Sequence, residues 1–335
     1  MDSSAPLKKK QKLCVEIDDL SLHPQIIHKL KIAKLCSYKA ILHLSQQEIQ
    51  KTANVSSSES KNILEAISKA SVENQIFSVF HILSSEKLPS RQKLAFNLLK
   101  NSSGNDCIYT GTITEICGES GSGKTQLCMY LSICAQKPIN AGGLNSKVIY
   151  IHSEGDFPIK RFLQMVNAFK INNPKLQNMK FSDNLILKKV FNVNQLIYVL
   201  QKGLPDLLKE PNCPKMLIID SVAALLRSEY DSWNERLSLL HQLANEIWKL
   251  ANVFGMAVFC VNQVSGSNKS NQVKGLDIPS LGLLWSNILT TRLKVSRKPS
   301  ESTGPTTRAL ELIFSSYHPH VCNNFLISEN GIELL

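Results

Sequence analysis

Residues 112–133 have the sequence TITEICGESGSGKTQLCMYLSI. The first six residues alternate as in a β-strand, the next eight form a glycine-rich loop that ends in Gly-Lys-Thr, and the remainder has a helix-like pattern. A strand, such a loop and a helix in this order are the setting of a phosphate-binding P-loop. A glycine-rich turn that merely precedes a lysine is a weak alternative, since this spacing arises by chance in roughly one chain of this length in a hundred.

The loop is suited to phosphate because of its backbone. Its glycines allow several N–H groups to point inward, and the helix that follows adds its positive end. Lys124 is expected to reach the β- and γ-phosphates of ATP, and the hydroxyl of Thr125 is expected to bind Mg²⁺. The predicted nucleotide-binding residues of this segment are Gly118, Glu119, Ser120, Gly121, Ser122, Gly123, Lys124, Thr125 and Gln126.

The size and charge of the chain limit its class. Its 335 residues suffice for one large domain and a small second one. The net charge of +11 allows contact with nucleic acid or an acidic partner, although a solvated basic face gives the same composition. The basic run Lys8 to Lys12 is either a nuclear import signal or part of a disordered, solubilising tail. We expect a nuclear location, and a cytoplasmic pool is compatible with the sequence.

Membrane association, secretion and zinc binding are not expected. No apolar run approaches the roughly 18 residues of a membrane span, and the polar, basic N-terminus does not resemble a signal peptide. The nine cysteines form no Cys-x-x-Cys pair. Several lie in apolar segments, a pattern that predicts reduced, buried thiols in an intracellular protein. These are Cys117, Cys128, Cys134 and Cys260.

The sequence predicts a small helical domain before the P-loop. Capping boxes beginning at Ser45 and Ser56 predict two helix starts. Such a domain either holds the DNA backbone through helix N-termini or only docks partners. The predicted parts of the chain are a disordered basic tail over 1–18, the helical domain over 19–72, a linker over 73–92 and an ATPase domain over 93–335.

From about residue 110 onward, strand and helix patterns alternate. Near-continuous apolar runs at 148–151, 216–219 and 256–261 predict parallel strands that are buried on both faces. Later, closely spaced runs are expected to extend the sheet in antiparallel fashion, at 290–295, 309–314 and 325–327. The predicted fold class is α/β, a doubly wound sheet with the nucleotide at the C-terminal ends of its strands.

Polar residues at the ends of these strands complete the candidate site. Asp220 ends the second parallel run, where a carboxylate beside a P-loop holds Mg²⁺. Glu154 follows the first run and is the best candidate to activate the attacking water. Asp156 is a weaker candidate, and a surface carboxylate is the plain alternative. Gln263 ends the third run, where a neutral amide can sense the γ-phosphate.

In order and spacing, these motifs resemble those of the RecA-type strand-exchange recombinases of eukaryotes. The resemblance covers about residues 20–335, and the segments 22–35 and 157–161 look like those of one paralogue in that family. It implies a RecA-like P-loop ATPase sheet, with a parallel core and an antiparallel extension, preceded by a small helix-hairpin-helix-like domain. The motifs that carry it lie at 118–125, 154–157, 217–225 and 261–264.

The resemblance also implies roles for individual residues. Glu154, Lys124 and Gln263 would be catalytic, with Gln263 as the switch that couples ATP to the second DNA-binding loop. Arg161 matches the arginine that stacks on the adenine, and Thr125 and Asp220 would bind the metal. Two loops near 227–236 and 265–281 would hold single-stranded DNA, with mobile solvated loops as the alternative. The candidate DNA contacts are Arg227, Arg236, Lys269 and Lys274.

Departures from the family pattern bear on assembly. Both DNA loops are short, and the linker lacks the Phe-x-x-Ala plug by which one recombinase subunit docks on the next. The apolar run from Ile76 to Val79 stands in its place. Near the C-terminus, Ser316-Tyr317-His318-Pro319 replaces the pattern whose aspartate caps the neighbour's ATP. These changes predict a paralogue that works in a mixed complex rather than in filaments of its own.

The leading interpretation is an ATP-binding paralogue with weak DNA-dependent ATPase activity. It would assist homologous recombination repair of DNA double-strand breaks together with recombinase paralogue C. Single-stranded or branched DNA and the main strand-exchange recombinase are further expected partners. Two alternatives stay open, an autonomous DNA-dependent ATPase that exchanges strands itself and a scaffold in which ATP only joins subunits.

Overall fold

The chain divides into two compact units, Met1–Pro89 and Ser90–Leu335. The structure, a computed structural model, describes residues 17–33, 35–42, 44–71, 91–100, 107–209, 212–227, 233–265, 278–279, 281–298 and 306–335. Several sequence predictions lie wholly or largely outside these ranges. They are the basic tail with Lys8 to Lys12, the linker over 73–92 with the apolar run from Ile76 to Val79, and the second DNA loop near 265–281 with the candidate contacts Lys269 and Lys274.

The N-terminal unit packs short helices around an apolar core. The helices are α1 (Pro24–Ile32), α2 (Tyr38–Leu42), α3 (Gln46–Ala53) and α4 (Ser57–Ser71). The predicted capping box at Ser45 is confirmed, because its hydroxyl accepts from the N–H of Glu48, whose carboxylate accepts from the N–H of Ser45. Ser56 and Glu59 form the same reciprocal pair. Fully buried isoleucines form the centre, at Ile41, Ile49, Ile63 and Ile67.

The C-terminal unit is a layered α/β structure. Its strands are β1 (Lys93–Ala95), β2 (Cys107–Tyr109), β3 (Thr112–Gly118), β4 (Val148–His152), β5 (Leu185–Lys189), β6 (Met216–Asp220), β7 (Ala257–Ser265), β8 (Ile278–Pro279), β9 (Thr291–Arg297), β10 (Arg308–Ser315), β11 (Cys322–Ser328) and β12 (Gly331–Leu334). Its α-helices are α5 (Lys124–Gln136), α6 (Ile159–Asn172), α7 (Val193–Tyr198), α8 (Leu204–Leu207), α9 (Val222–Arg227), α10 (Trp233–Asn252) and α11 (Gly282–Ile288).

The main sheet has the strand order β12-β11-β10-β9-β3-β7-β6-β4-β5, and the short β8 pairs with β7. Neighbours from β9 to β5 are parallel, and neighbours from β9 to β12 are antiparallel. Along β4, Val148 and Tyr150 join one apolar cluster while Ile149 and Ile151 join the other, because alternate residues face opposite sides of a sheet. The predicted fold class, a parallel core with an antiparallel extension, is confirmed.

The direction of β9 differs from the prediction. The run 290–295 was expected to be antiparallel, yet β9 pairs in parallel with β3, and antiparallel pairing begins only between β9 and β10. The reason is α11, which the sequence pattern did not reveal. This helix lies between β7 and β9 in the chain and provides the crossover that a parallel pairing requires. The edge strand β5, the hairpin strand β12 and the small β1–β2 sheet were also not predicted.

Neither a membrane span nor a metal-binding cluster occurs among the described residues. There, no helix combines the length and the apolar character needed to cross a membrane. The described His, Cys, Asp and Glu side chains form no group of three or more that could hold a metal ion. The cysteines predicted to lie in apolar segments are indeed buried, at Cys117, Cys128, Cys134 and Cys260.

Candidate nucleotide-binding site

A cavity of about 370 Å³ opens at the C-terminal ends of the parallel strands. This is the edge at which open α/β sheets bind ligands. The cavity joins the glycine-rich loop to residues at or just after the C-terminal ends of β4 and β6 and in the C-terminal half of β7, as the strand-end pattern predicted. Its lining consists of Ser120, Gly121, Gly123, Lys124, Thr125, Gln126, Glu154, Asp220, Ser221, Val261, Gln263, Arg308 and Ile327.

The loop over residues 118–125 requires glycine at particular positions. Gly121 and Gly123 have φ angles of +68° and +110°, which other residues rarely adopt. A Cβ atom on Gly118 would lie 2.2 Å from the carbonyl oxygen of Val295 in β9. The loop therefore packs directly against β9. Its backbone has the conformation in which successive N–H groups bind phosphate.

Lys124 begins α5 and is 9% exposed. Its Nζ donates hydrogen bonds of 2.8 Å to the carbonyl oxygens of Gly118 and Glu119. Burial lowers the pKa of Lys124, while the charges of Asp220 and Glu154 act in the opposite direction. Since its hydrogen-bond acceptors in the described structure are neutral carbonyls, a phosphate group would be a stronger partner for this buried cation.

Thr125 and Asp220 lie together beside Lys124. The hydroxyl of Thr125 donates a 2.7 Å hydrogen bond to Oδ2 of Asp220, and the hydroxyl of Tyr150 donates a second bond of 2.7 Å to the same oxygen. Burial raises the pKa of Tyr150 well above its ordinary value, so this hydroxyl keeps its proton. A hydroxyl and a carboxylate are oxygen ligands of the kind that Mg²⁺ prefers. The residues present therefore fit a magnesium ion next to the phosphates.

Glu154 and Gln263 meet across the cavity. The side-chain amide of Gln263 donates a 3.2 Å hydrogen bond from Nε2 to Oε1 of Glu154. Asp156, the weaker alternative for water activation, is instead paired with Lys189 at 2.8 Å, and its side chain is 92% exposed. Asp156 is also absent from the cavity lining. The geometry therefore favours Glu154 over Asp156 as the carboxylate that faces the nucleotide.

Arg161 lies next to the cavity but not in its lining. Its Nε donates to Oε1 of Gln126 at 2.9 Å. Its terminal nitrogens donate to the carbonyl oxygens of Ser328 at 2.6 Å and Glu329 at 2.9 Å. The side chain thus joins the helix after the P-loop to the turn between β11 and β12. The adenine contact implied by the family resemblance stays a prediction.

Two arginines that the sequence analysis did not single out hold the P-loop from β9 and β10. Arg297 donates from Nε to the carbonyl oxygen of Gly121 at 3.1 Å and from Nη2 to that of Ser120 at 2.9 Å. Arg308 donates from Nε to the carbonyl oxygen of Ser122 at 3.0 Å and also lines the cavity. Burial lowers the pKa of Arg308, and the nearby charge of Arg297 adds to this effect.

A local signal existed for only one of the residues that were not predicted. Tyr150 is a hydroxyl-bearing residue within an otherwise apolar strand, and a buried tyrosine usually has a hydrogen-bond partner. Arg297 and Arg308 reach the P-loop because β9 lies beside β3 in the strand order and β10 lies beside β9. No spacing near residue 120 indicates that arrangement.

Of the candidate DNA contacts, the structure describes the backbone of Arg227 and the whole of Arg236, and Arg236 is absent from the lining of this cavity. Arg227 is the last residue of α9, and Arg236 lies near the start of α10 with its side chain partly exposed. The structure does not describe residues 228–232, which lie between these two arginines. The role of Arg227 and Arg236 in DNA binding therefore stays a prediction.

The fold and the site together define a P-loop nucleotide-binding protein with a RecA-like sheet. The Rad51 family profile matches residues 100–334, and the profile of the XRCC3/RpoA-like helix-hairpin-helix domain matches residues 17–71. Because the Rad51 match spans more than half of the chain, this chain belongs to the Rad51 family. Members of this family bind ATP and typically depend on Mg²⁺.

Relatives from plants, mammals and yeast are similar over most of their length. The chain is 32% identical to the DNA repair protein XRCC3 homolog of Arabidopsis thaliana over 290 residues, which cover 70% of this chain and 95% of that protein. It is 28% identical to the DNA repair protein XRCC3 of Bos taurus over 341 residues, covering 95% and 98%. It is 29% identical to the DNA repair protein rhp57 of Schizosaccharomyces pombe over 267 residues, covering 67% and 74%.

Proposed function

We propose that this chain is an ATP-binding recombinase paralogue that assists homologous recombination repair of DNA double-strand breaks. The observation that carries the proposal is the convergence of Lys124, the Thr125–Asp220 pair and the Glu154–Gln263 pair on one cavity. Membership of the Rad51 family and similarity to proteins named for DNA repair support the biological role. We propose that the protein works in the nucleus and that the basic run from Lys8 to Lys12 is its import signal.

Five residues at the cavity have tasks in ATP binding and hydrolysis. Lys124 exchanges its two backbone acceptors for the charged phosphates. Thr125 and Asp220 would hold Mg²⁺, which when bound neutralises part of the phosphate charge. Glu154 accepts the proton of the attacking water, and the amide of Gln263 keeps that carboxylate oriented.

We place the docking site for recombinase paralogue C at the edge strand β5. A groove of about 820 Å³ lies beside this strand and the helix α7. Phe191 and Tyr198 line the groove and are 66% and 67% exposed. In the described sheet β5 is the last strand, so its outer backbone groups face away from β4. An extended apolar segment of the partner can add to this edge as a further strand and place side chains in the groove.

DNA contact is the third part of the proposal. The net charge of +11 provides the attraction to phosphate, and the candidate contacts are Arg227, Arg236, Lys269 and Lys274. Phosphate contacts release counterions, so the affinity for single-stranded DNA should fall linearly on a log–log plot against salt. The double variant Lys269→Ala/Lys274→Ala should make that slope shallower by about 1.4, since each contact to single-stranded DNA contributes about 0.7. An affinity that does not depend on salt would contradict this part.

The hydrolysis step is tested by ATP turnover of the complex with paralogue C, with and without single-stranded DNA. Glu154→Gln should lower kcat by about a hundredfold or more, because the proton acceptor is lost, without weakening ATP binding. Asp156→Asn is the matched control and should leave kcat unchanged, since Asp156 is exposed and paired with Lys189. ATP turnover that is unaffected by Glu154→Gln would favour the scaffold hypothesis, in which ATP only joins subunits. Long ATP-dependent filaments of the pure chain would favour the autonomous recombinase.

A further inference from the structure

A carboxylate that takes no part in the proposed chemistry lies fully buried in the centre of the sheet. Glu115 on β3 is 0% exposed and stands in register with Cys260 on β7 and Arg292 on β9. Arg292 forms a close ion pair with its Oε2, and its Oε1 accepts hydrogen bonds from Asn262 and Trp285. Burying a charge is costly unless it is paired and hydrogen-bonded, so these donors account for its presence.

The same carboxylate leads to the nucleotide cavity through one residue. Asn262 donates from Nδ2 to Oε1 of Glu115 at 2.7 Å, and its Oδ1 accepts from the backbone N–H of Gln263 at 2.8 Å. The side chain of Gln263 then reaches Glu154 at 3.2 Å. Glu115 itself is absent from the cavity lining. Within the part of the chain that the structure describes, Asn262 and Gln263 connect Glu115 to the cavity.

In the other direction, the carboxylate leads to the helix α11. The indole Nε1 of Trp285 donates to Oε1 of Glu115 at 2.9 Å, and Trp285 is fully buried. Arg292 donates from Nη2 to the hydroxyl of Ser286 at 2.8 Å, which gives α11 a second attachment to the same ion pair. A single buried oxygen, Oε1 of Glu115, thus joins β7 at the nucleotide cavity to α11.

We propose that Glu115 is a positioning residue that couples the state of Gln263 to α11. When a nucleotide changes the contact between Gln263 and Glu154, the change passes through Asn262 and Glu115 to the indole of Trp285. The inference rests on the proposed ATP binding, so the test measures ATP binding separately. The coupling is measured as a signal from Trp285 that depends on the nucleotide.

The test uses Trp285 as a fluorescent reporter in the full-length chain. The parent protein carries Trp233→Phe and Trp248→Phe, which leaves Trp285 as the single tryptophan. Mg-ATP is added at saturation, and its affinity is measured by calorimetry on the same samples. Glu115→Gln keeps the shape of the side chain but removes its charge, and Asn262→Ala removes the link to Gln263. Glu246→Gln is the matched control, because Glu246 is another largely buried carboxylate, with Lys249 as its partner.

Mg-ATP is expected to change the Trp285 emission of the parent and of Glu246→Gln. The change should be lost in Glu115→Gln and in Asn262→Ala, although both still bind Mg-ATP. If either variant fails to fold, the other decides the matter, and if both fail to fold, Gln263→Ala takes their place, since it removes only the side chain that faces the cavity. The inference is overturned if the parent binds Mg-ATP without a change in emission, or if the folded variants keep the full change. Absence of calorimetric binding in the parent would instead refute the proposed ATP site.

Discussion

The hydroxyl of Tyr150 donates a 2.7 Å hydrogen bond to Oδ2 of Asp220, the oxygen that also accepts from Thr125. The phenol lies inside the sheet on β4, which pairs directly with β6, the strand that ends in Asp220. Burial raises the pKa of Tyr150, so the phenol keeps its proton and remains a donor to Asp220. Asp220, the candidate metal ligand, is therefore oriented by a residue that does not itself line the cavity.

This arrangement predicts that Tyr150→Phe increases the Mg²⁺ requirement of ATP binding. Loss of the hydrogen bond leaves Asp220 less firmly oriented and removes a donor that stabilises its charge, worth about 1.5–3 kcal/mol. The Mg²⁺ concentration at half-maximal binding should rise about tenfold, as measured by titration at fixed ATP. Tyr130→Phe is the control, since Tyr130 on α5 is partly buried and its hydroxyl interacts with Cys134. An unchanged Mg²⁺ midpoint in Tyr150→Phe would contradict the role assigned to the phenol.

The two arginines on the P-loop lead to a second prediction. Arg308→Gln should weaken ATP binding by about tenfold, because the loop loses a charge-assisted hydrogen bond and the cavity loses a positive charge. The dissociation constant of Mg-ATP is the quantity to measure. Arg91→Gln provides the control, since Arg91 contacts Tyr317 and is absent from the cavity lining. Equal affinities in Arg308→Gln and the parent would show that Arg308 does not serve the nucleotide.

The groove beside β5 is tested by charge substitution. Phe191→Glu and Tyr198→Glu should each reduce co-purification of recombinase paralogue C about tenfold or more, because a buried aromatic contact at an interface is worth about 2 kcal/mol. Ile171→Glu places the same charge on an exposed apolar position of α6, 74% exposed, and should have no effect. Undiminished pairing of both groove variants would rule out this face as the docking site.

The reactivity of the cysteines towards alkylating reagents should depend on their burial. Burial, with a smaller effect from the charge of Glu115, raises the pKa of Cys117 to about 12. A raised pKa keeps the thiol protonated below that pH, so at about pH 8 the buried cysteines should resist alkylation while Cys36 and Cys322 react. Mass spectrometry of the alkylated, folded chain measures this, and denatured protein supplies the fully labelled reference. Rapid labelling of Cys117 in the folded protein would contradict the burial seen in the sheet.

The parts of the site that sequence could predict are those encoded by local spacing. Lys124 and Thr125 belong to one continuous motif, and Asp220 marks the end of an apolar strand. Arg297 and Arg308 contact the P-loop from positions far along the chain, so their role depends on the strand order. The direction of β9 depends on α11, whose short sequence carries no strong helical period. β5 was not predicted because an edge strand with exposed lysines lacks the apolar run of a central strand.

Calorimetry tests most directly whether the cavity binds Mg-ATP through Lys124. The parent chain is predicted to bind Mg-ATP, and Lys124→Ala to lose about tenfold or more in affinity with an unchanged circular dichroism spectrum, because the phosphates lose their buried cation. Lys202→Ala removes an exposed lysine outside the cavity and should bind as the parent does. Equal affinity of Lys124→Ala and the parent, or no binding by the folded parent, would contradict the account.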